Sequence, residues 1–357
     1  MKALILSAGA GTRLRPFSHS MPKQLIPVGN TPVLEHVVSN IRALGVTQIG
    51  IIVGDRAREI EAVLGDGSRL QVEITYIPQD EPLGLAHCVL IARDFLGDDD
   101  FVMYLGDNML LDGIVDYAEA FRSSRSAAHL LVHKVSDPRE FGVVELGVDG
   151  VVHRLVEKAA DPPSDLAIIG VYFFTPAIHE AVAAVEPSER GELEITHAIQ
   201  WLVSTGAVVH ATEYDGYWKD TGRVEDVLEC NRTVLESIAG SVDGEVDGAS
   251  VLVGAVVVEP GARVIRSRIE GPVIIGAGSL VEESHVRPYT SIGRDCVLRG
   301  SDIGYSIALD DAAVFDMPGL HGSVVGRAAM VRTADRGVVS SRLIVGDHSR
   351  VEVVTGC

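Results

Sequence analysis

The chain carries, close to its start, the stretch Leu6-Ser7-Ala8-Gly9-Ala10-Gly11-Thr12-Arg13-Leu14-Arg15-Pro16. A short apolar run, Ala3 to Leu6, comes first and predicts a buried strand. The small residues behind it let backbone N–H groups approach a polyphosphate, and Arg13 adds a planar fork of donors. A plain tight turn would not need Thr12 and Arg13 directly behind three small residues. We therefore interpret the stretch as a cradle for a triphosphate.

Two better-known phosphate loops do not fit this stretch. The third glycine of a dinucleotide fingerprint would fall at Leu14, and no Gly-Lys-Ser/Thr sequence completes a Walker loop. A second basic group follows in Pro22-Lys23-Gln24-Leu25-Ile26-Pro27-Val28, where Lys23 is held between two prolines. A lysine placed there can hold a phosphate of a nucleotide or of leaving pyrophosphate. The ordinary alternative is a solvated surface lysine.

Two aspartates distant in sequence complete the candidate chemistry. Asp107 lies in Leu105-Gly106-Asp107-Asn108, and Asp220 lies in Trp218-Lys219-Asp220-Thr221-Gly222. Mg²⁺ is typically held by one or two carboxylates together with substrate phosphates. Either aspartate alone would be an ordinary turn or cap residue. With the phosphate loop, the pair indicates a Mg²⁺ site.

The first part of the chain alternates buried strands with amphipathic helices. The apolar stripe predicts a helix over Thr31 to Leu44, with Gly45 ending it. Strands are predicted at Ile49 to Val53, Val72 to Ile77 and Phe101 to Leu105. This order is typical of an α/β fold with a doubly wound, mostly parallel sheet. Because ligands lie at the carboxyl ends of such strands, both loops should face one pocket.

The second part has a different texture. From about Ser241, short β-branched runs are broken by glycine, and Val273-Ile274-Ile275-Gly276-Ala277-Gly278 shares an Ile-Gly beat with Ser291-Ile292-Gly293. An apolar step recurring about every six residues predicts a left-handed parallel β-helix. A β-sandwich with glycine turns is the alternative. The 357 residues therefore predict two domains, 1–240 and 241–357, because one ordinary core does not grow to that size.

Composition excludes several classes of function. The formal charge of −20 and the pI near 4.9 argue against a nucleic-acid partner, which would need clustered lysine and arginine. The four cysteines, Cys88, Cys230, Cys296 and Cys357, show neither disulfide nor zinc spacing. Neither a signal peptide nor a membrane helix is predicted. We expect a soluble cytoplasmic protein with no membrane partner.

Together these motifs resemble the glucose-1-phosphate thymidylyltransferases of the sugar nucleotidyltransferase superfamily. The resemblance runs almost continuously from residue 1 to about residue 238. The motifs that carry it are Gly9-Ala10-Gly11-Thr12-Arg13-Leu14, Pro22-Lys23-Gln24-Leu25-Ile26-Pro27, Leu105-Gly106-Asp107-Asn108, Glu157-Lys158, Gly191-Glu192-Leu193-Glu194-Ile195-Thr196 and Trp218-Lys219-Asp220-Thr221-Gly222.

The resemblance implies a Rossmann-like domain that joins dTTP and glucose-1-phosphate into dTDP-glucose, for deoxysugar biosynthesis, with release of pyrophosphate. It implies that Asp107 and Asp220 hold Mg²⁺, that Arg13 and Lys23 act on the triphosphate, and that Gln79 and Gly84 meet the thymine edge. It also implies that the nucleotide is bound by Ala8, Gly9, Gly11, Thr12, Gln24 and Asn108. The hexose phosphate pocket would be formed by Gly142, Glu157, Lys158, Ile168 and Tyr172. Arg190 is a further candidate for the sugar phosphate.

The sequence departs from the family pattern at two positions. Ala8 stands where the family often has glycine, which is tolerated if its φ is negative. His197 stands where aspartate usually follows the Gly191 to Thr196 motif. His129 and His133 have the spacing of a helical metal pair, but Ala128 to Val135 reads as a strand. We interpret both histidines as ordinary side chains.

Three other functions stay open from the sequence. One is a UDP-sugar pyrophosphorylase, and another is a bifunctional enzyme whose β-helix also transfers acyl groups. The third is a non-catalytic scaffold with the same two domains, which the intact set of Arg13, Lys23, Asp107 and Asp220 disfavours. Stacked coils present long flat edges that suit subunit contacts, so we expect a homo-oligomer assembled through the coil.

Overall fold

A computed structural model of the chain describes residues 1–9, 11–333 and 343–353. The α-helices are α1 (Val33–Ala43), α2 (Ala57–Leu64), α3 (Leu85–Ile91), α4 (Arg93–Leu96), α5 (Val115–Ser124), α6 (Ile178–Ala184), α7 (Ile195–Ser204) and α8 (Val224–Glu236). The strands up to α8 are β1 (Lys2–Leu6), β2 (Pro27–Val28), β3 (Thr31–Pro32), β4 (Gln48–Val53), β5 (Glu73–Pro78), β6 (Phe101–Leu105), β7 (Asn108–Leu110), β8 (Ala128–Lys134), β9 (Gly142–Leu146), β10 (Val152–Glu157), β11 (Leu166–Phe174), β12 (Val209–Glu213) and β13 (Trp218–Asp220). Among the described residues, no helix is both long and apolar enough to cross a lipid bilayer.

The chain divides into two compact units, each built from two stretches of sequence. The first unit comprises Met1–Gly9 and Val33–Lys219, and the second comprises Ala10–Pro32 and Asp220–Cys357. The residues directly behind the first strand therefore leave the first unit after Gly9.

The first unit is built on a sheet whose central strand is β1. Strands β4 and β6 flank β1 in parallel, and Leu6 is in register with Ile52 on one side and Leu105 on the other. Beyond them, β5 pairs in parallel with β4, and β11 pairs antiparallel with β6. The side chains of Ala3 to Leu6 are buried, as their unbroken apolar run predicts. The predicted doubly wound, mostly parallel sheet is confirmed.

The predicted strands agree with the structure to within about one residue at their ends. Phe101–Leu105 is confirmed, the strand predicted from Ile49 begins at Gln48, and the strand predicted from Val72 runs over Glu73–Pro78. Each discrepancy falls at a strand end, where backbone hydrogen bonding and not hydrophobicity sets the boundary.

The first helix begins later than its apolar stripe predicts. Thr31 and Pro32 form strand β3, which pairs with β2, and α1 begins at Val33. Gly29 and Asn30 both have positive φ, 60° and 61°, as a two-residue type I′ hairpin requires. Thr31 and Pro32, which the apolar pattern assigned to the helix, therefore belong to the hairpin instead.

The histidines at positions 129 and 133 lie on strand β8, as predicted. His129 Nε2 lies 2.8 Å from Thr212 Oγ1, and burial lowers the pKa of His129 to about 4. Cys88, Cys230 and Cys296 form no disulfide bond, and Cys357 lies outside the described residues.

The second unit contains three parallel ladders of short strands. The first ladder runs through Ser241–Val242, Val256–Val258, Val273–Ile275, Thr290–Ile292, Ile307–Ala308, Val324–Val325 and Ile344–Val345. The second runs through Glu245–Val246, Arg263–Ile265, Leu280–Glu282, Val297–Arg299, Ala313–Phe315, Met330–Thr333 and Arg350–Val353. The third runs through Val251–Val253, Arg268–Glu270, His285–Val286, Asp302–Gly304 and Leu320–His321. Parallel ladders confirm the left-handed β-helix and exclude the β-sandwich, whose sheets would be antiparallel.

A typical turn of the coil is slightly shorter than three regular hexapeptides. Val264 pairs with Val281, and Val281 pairs with Leu298, so these two turns of the coil take 17 residues each. The turn from Leu298 to Val314 takes 16 residues and the turn from Val331 to Val351 takes 20. Within a turn, the strands that begin at Val256, Arg263 and Arg268 are seven and then five residues apart. The predicted six-residue beat is therefore an average over unequal corners.

A ladder of serines, all but the first of them buried, satisfies backbone groups at one corner of the coil. Ser250, Ser267, Ser284 and Ser301 stack in successive turns. The hydroxyl oxygens of Ser250, Ser267 and Ser284 each accept a hydrogen bond from the backbone N–H of the next serine, at 3.0 to 3.1 Å. The hydroxyl of Ser301 accepts one from Met317 N at 3.2 Å. At this corner the serine hydroxyls therefore pair with backbone N–H groups that burial would otherwise leave without an acceptor.

Asn231 on α8 joins three parts of the second unit. Its side chain is fully buried, and its Oδ1 accepts hydrogen bonds from Gly29 N at 2.9 Å and from Ser291 Oγ at 2.7 Å. Asn30 Nδ2 donates to Ile292 O at 2.7 Å beside it. The β2–β3 hairpin, helix α8 and the coil are therefore held by one amide group. Because Lys23 precedes this hairpin, the coil helps to anchor the segment that carries the basic residues.

We expect Asn231→Leu to lower stability by about 3 kcal/mol, because it leaves the partly buried N–H of Gly29 and the buried hydroxyl of Ser291 without an acceptor. Arg232→Ala at the next position is the control, since Arg232 forms an exposed ion pair with Glu236 on α8. This change should alter stability by less than about 0.5 kcal/mol. Thermal denaturation followed by circular dichroism measures both. Equal melting midpoints for the two variants would contradict the anchoring role.

Candidate active site

In the first unit, the loops that follow three parallel strands lie at one edge of the sheet. Ser7 follows β1, Gly54 follows β4, and Gly106 follows β6. Ser7 N donates to Ile52 O at 2.9 Å, and Gly106 N donates to Leu6 O at 3.0 Å. A Cβ on Gly106 would overlap Ser7 Oγ. The loops after β1 and β6 are thus in direct contact, as the strand order predicts.

A chain of hydrogen bonds orients Asp107 at this edge. Trp218 Nε1 donates to Asn108 Oδ1 at 2.7 Å, and Asn108 Nδ2 donates to Asp107 Oδ1 at 3.2 Å. Asp107 and Asn108 are both buried. Trp218 belongs to the same sequence motif as Asp220, but the motif gives no sign that its indole would contact Asn108. The carboxylate is therefore held in a fixed direction by neighbours that the sequence did not identify as partners.

The structure brings Gln79 and Gly84 to the segment that contains Leu193. Gln79 follows β5, and its backbone N–H bonds to Val53 O at 2.8 Å. Leu193 N donates to Leu83 O at 2.7 Å, and Ala86 N donates to Leu193 O at 3.0 Å. Gly84 has a φ of 102°, and a Cβ there would lie 2.5 Å from Leu193 O. Only glycine fits this position, because both its backbone angle and the space around it exclude a side chain.

Glu157, predicted for the sugar pocket, is surrounded by groups that can direct it. Thr196 Oγ1 donates to Glu157 Oε2 at 3.0 Å. Arg190 Nη1 lies 3.5 Å from Glu157 Oε1 and 3.5 Å from Glu194 Oε1, and Lys158 Nζ lies 3.6 Å from Glu157 Oε1. Two cations beside a carboxylate acceptor suit a ligand with both hydroxyl and phosphate groups.

The remaining predicted sugar-pocket residues lie around Glu157. A Cβ on Gly142 would lie 3.0 Å from Glu157 Oε2, 2.7 Å from Thr196 Cγ2 and 3.5 Å from Ile168 Cδ1. Tyr172 is buried on the same strand as Ile168, and burial, with a further contribution from the Glu157 charge, raises the pKa of its hydroxyl. The structure therefore brings Gly142, Glu157, Lys158, Ile168 and Tyr172 together.

In the second unit, the two basic segments lie against each other. Gly11 has a φ of 62° and leads into a 3₁₀ turn, Thr12–Leu14, while Lys23–Leu25 forms another. A Cβ on Gly11 would lie 3.0 Å from Lys23 Cβ. Arg13 is exposed, Lys23 is partly buried and Gln24 is buried. Arg13, Lys23 and Asp220 belong to the second unit, whereas Ala8, Gly9 and Asp107 belong to the first.

The described residues contain no group of three His, Cys, Asp or Glu side chains placed to hold a metal ion. Asp107 and Asp220 are hard oxygen donors of the kind that Mg²⁺ prefers. Each carboxylate by itself suits an ion whose other ligands are substrate oxygens and water, and neither belongs to a closed structural metal site in the described part of the chain.

A doubly wound sheet with a small-residue loop behind its first strand and a directed aspartate behind a neighbouring strand defines a nucleotidyltransferase. The nucleotidyl transferase family model matches residues 2–237. A glucose-1-phosphate thymidylyltransferase from Streptomyces griseus is 53% identical over 99% of both chains, and one from Streptomyces antibioticus is 52% identical over 99% of both. The chain therefore belongs to the nucleotidyl transferase family, and within it to the glucose-1-phosphate thymidylyltransferases.

A solved structure and a further full-length relative agree with this assignment. A Bacillus anthracis crystal structure, provisionally described as a glucose-1-phosphate thymidylyltransferase in complex with sucrose, is 33% identical. It covers 68% of this chain and 97% of its own, with a TM-score of 0.62. A low-salt glycan biosynthesis nucleotidyltransferase from Haloferax volcanii, Agl11, is 44% identical over 99% of this chain and all of its own. The β-helix therefore also falls within the aligned length of full-length relatives.

We expect Gly84→Ala to lower affinity for the nucleotide and to destabilise the protein by more than Gly206→Ala does. Gly206 also has a positive φ, 87°, but nothing lies within 4 Å of the position of its Cβ. Both variants should lose about 1 to 2 kcal/mol from backbone strain, and only Gly84→Ala should displace the Leu193 segment. Melting midpoints and the KM for nucleotide distinguish the two, and equal behaviour would contradict the close packing at Gly84.

Proposed function

We propose that the protein transfers a thymidylyl group from dTTP to glucose-1-phosphate, giving dTDP-glucose and pyrophosphate for deoxysugar biosynthesis. The observation that carries this proposal is the identity above 50%, over essentially the whole length, to two glucose-1-phosphate thymidylyltransferases. The directed Asp107 and the hydroxyl- and phosphate-binding groups around Glu157 support it. Pyrophosphate release from dTTP, dependent on glucose-1-phosphate, tests it.

The proposed reaction is an in-line attack by a phosphate oxygen of glucose-1-phosphate on the α-phosphorus of dTTP. That oxygen is already ionised at neutral pH, so the reaction needs no catalytic base. Catalysis then consists of positioning and charge neutralisation. Arg13 and Lys23 stabilise the charge that develops on the triphosphate as pyrophosphate leaves.

A divalent metal ion belongs to this chemistry, and we propose Mg²⁺ held by Asp107 and Asp220. When bound, the ion neutralises phosphate charge as the transferred group changes partners. The hydrogen bonds from Trp218 to Asn108 and from Asn108 to the Asp107 carboxylate support this proposal, because they restrict the carboxylate's rotation. Ala8, Gly9, Gly11, Thr12 and Gln24 belong to the same proposal as the loop that receives the nucleotide.

The two substrates are assigned to different groups of the first unit. Gln79 and Gly84 receive the base edge, while Glu157 accepts hydrogen bonds from sugar hydroxyls. Lys158 and Arg190 balance the sugar phosphate, and both lie within 3.6 Å of Glu157. Gly142, Ile168 and Tyr172 shape the wall of this pocket.

The domain limits 1–240 and 241–357 and a homo-oligomeric state are also part of the proposal. The family match ends at residue 237 and the first ladder strand begins at Ser241, which supports the limits. A cytoplasmic location is consistent with both substrates, because charged phosphate esters do not cross a lipid bilayer unaided.

We expect Asp107→Asn and Asp220→Asn to lower kcat by about 100-fold or more, because each removes one negative charge and little volume. Melting should change little, since neither change affects an apolar core contact. Asp116→Asn on the exposed face of α5 is the control and should keep full activity. Near-normal turnover in either variant, at saturating Mg²⁺ and with normal melting, would overturn the metal assignment.

We expect dTTP to be preferred over UTP, with UTP still reacting measurably. The two differ by one methyl and one hydroxyl group, and a methyl in an apolar pocket is worth about 1 to 3 kcal/mol. Gln79→Ala should raise the KM for dTTP about tenfold with little change for glucose-1-phosphate. Steady-state kinetics with dTTP, UTP and ATP test this, and equal or better kcat/KM with UTP or ATP would overturn the choice of nucleotide.

The same kinetics distinguish the alternative functions. A UTP–glucose-1-phosphate uridylyltransferase from Haloferax volcanii is 37% identical over 66% of this chain, so the UTP comparison is a necessary one. Acetyl-coenzyme A consumption with an amino sugar phosphate would indicate a second, acyl-transferring activity. An absence of turnover with every nucleotide would favour a scaffold.

A further inference from the structure

Phe141 lies at the end of the two strands that carry the groups proposed for the sugar phosphate. It directly precedes β9, on which Gly142 is in register with Glu157 of β10. Lys158 N donates a hydrogen bond to Phe141 O at 3.1 Å. The sequence motifs do not include Phe141, yet its backbone is bonded to a residue of the proposed pocket.

The backbone of Lys158 has a conformation that needs such support. Its φ is 41°, in the left-handed region that residues with a side chain seldom adopt. Conformations of this kind persist where the surrounding structure holds them, and they occur often at functional sites. The hydrogen bond to Phe141 O is one contact that holds Lys158, so the two residues are fixed relative to each other.

The ring of Phe141 contacts the indole of Trp218. The two ring centres lie 5.9 Å apart and the planes make an angle of 68°, which is the favourable edge-to-face arrangement. The ring of His133 lies 5.7 Å from the same indole at 55°. Both Phe141 and Trp218 are partly buried. The orientation of the indole therefore depends on these two neighbouring rings.

That orientation decides how Asn108 is held. An indole N–H can only donate and an ionised carboxylate can only accept, so the Asn108 amide fits between Trp218 and Asp107 in one way. Its Oδ1 accepts from Trp218 Nε1 at 2.7 Å, and its Nδ2 donates to Asp107 Oδ1 at 3.2 Å. With the amide turned over, two donors would face each other and two acceptors would face each other.

We propose that Phe141 is a positioning residue for the Asp107 carboxylate, acting through Trp218 and Asn108. This inference rests on the proposed role of Asp107 in the reaction. The ring of Phe141 keeps the indole where its N–H reaches Asn108, and Asn108 then holds the carboxylate. Because the carbonyl of Phe141 also accepts from Lys158, one residue contacts both the sugar-phosphate pocket and the chain of hydrogen bonds to Asp107.

The test measures kcat, the KM for each substrate and the melting midpoint of full-length variants. Phe141→Leu removes the ring and keeps an apolar side chain, whereas Phe141→Tyr keeps the ring. Trp218→Phe keeps a ring but removes the N–H. Phe95→Leu is the matched control, because Phe95 is also partly buried but lies on α4, where its ring faces the Lys2 ammonium. Phe141→Met is interpreted in the same way if the leucine variant does not fold.

Phe141→Leu should lower kcat about fivefold, the effect of losing one aromatic contact, because His133 still restrains the indole. The KM for dTTP should stay within about twofold, and Phe141→Tyr and Phe95→Leu should keep kcat within about twofold. Trp218→Phe should lower kcat at least as much as Phe141→Leu does. Adding Phe141→Leu to Trp218→Phe should cost less than about twofold more, because no N–H is left to orient.

Fluorescence gives a second measurement that does not depend on turnover. The chain has two tryptophans, so Trp201→Phe leaves Trp218 as the only source of tryptophan emission. In that background, Phe141→Leu should raise the constant for quenching of Trp218 by acrylamide, because a loosened indole is more accessible. Phe141→Tyr and Phe95→Leu should leave the quenching constant unchanged.

Three results would overturn the positioning role of Phe141. They are an unchanged kcat in Phe141→Leu, a further fivefold loss when Phe141→Leu is added to Trp218→Phe, and equal quenching constants for Phe141→Leu and Phe141→Tyr. The proposed function fails separately, if the wild type releases no pyrophosphate from dTTP with glucose-1-phosphate. In that case the quenching constants still decide whether Phe141 holds the indole.

Discussion

The parallel register of β1 with β4 and β6 is the constraint on which the first unit depends. Because Leu6 is in register with both Ile52 and Leu105, all three strands end at one edge, and their loops must meet there. Gly106 has no side chain, which lets its loop come into contact with Ser7. Asp107 follows in the next position, so the sheet itself places a carboxylate beside the residues that follow β1.

A single buried amide has a comparable role in the second unit. Asn231 lies on α8, and its side-chain oxygen accepts one hydrogen bond from the β2–β3 hairpin and another from Ser291 of the coil. Elsewhere in the coil, serine hydroxyls at one corner accept hydrogen bonds from the backbone N–H groups of the next turn. The β-helix is thus part of the support of the segment that carries Lys23, in addition to any role in assembly.

Much of the proposed site could be predicted from motifs, because those residues are recognised from their near neighbours in the sequence. The small-residue loop after β1 and the aspartate after β6 can both be predicted from the local sequence pattern and the order of the strands. The partners of those residues could not be read in the same way. Thr196 beside Glu157, Trp218 beside Asn108 and His87 beside Gln79 are pairings of side chains, two of them between distant segments, and no local pattern specifies them.

The sequence by itself determined the alternation of strands and helices, the parallel sheet, the repeating coil and the family, since these follow from hydrophobic period, glycine placement and motif. Tertiary structure alone decided that α1 begins after a hairpin, that the turns of the coil differ in length, and that the Trp218 indole donates to Asn108. The physical reason is that period and propensity act along the chain. Hydrogen bonds between side chains depend on distances that exist only after the chain has folded.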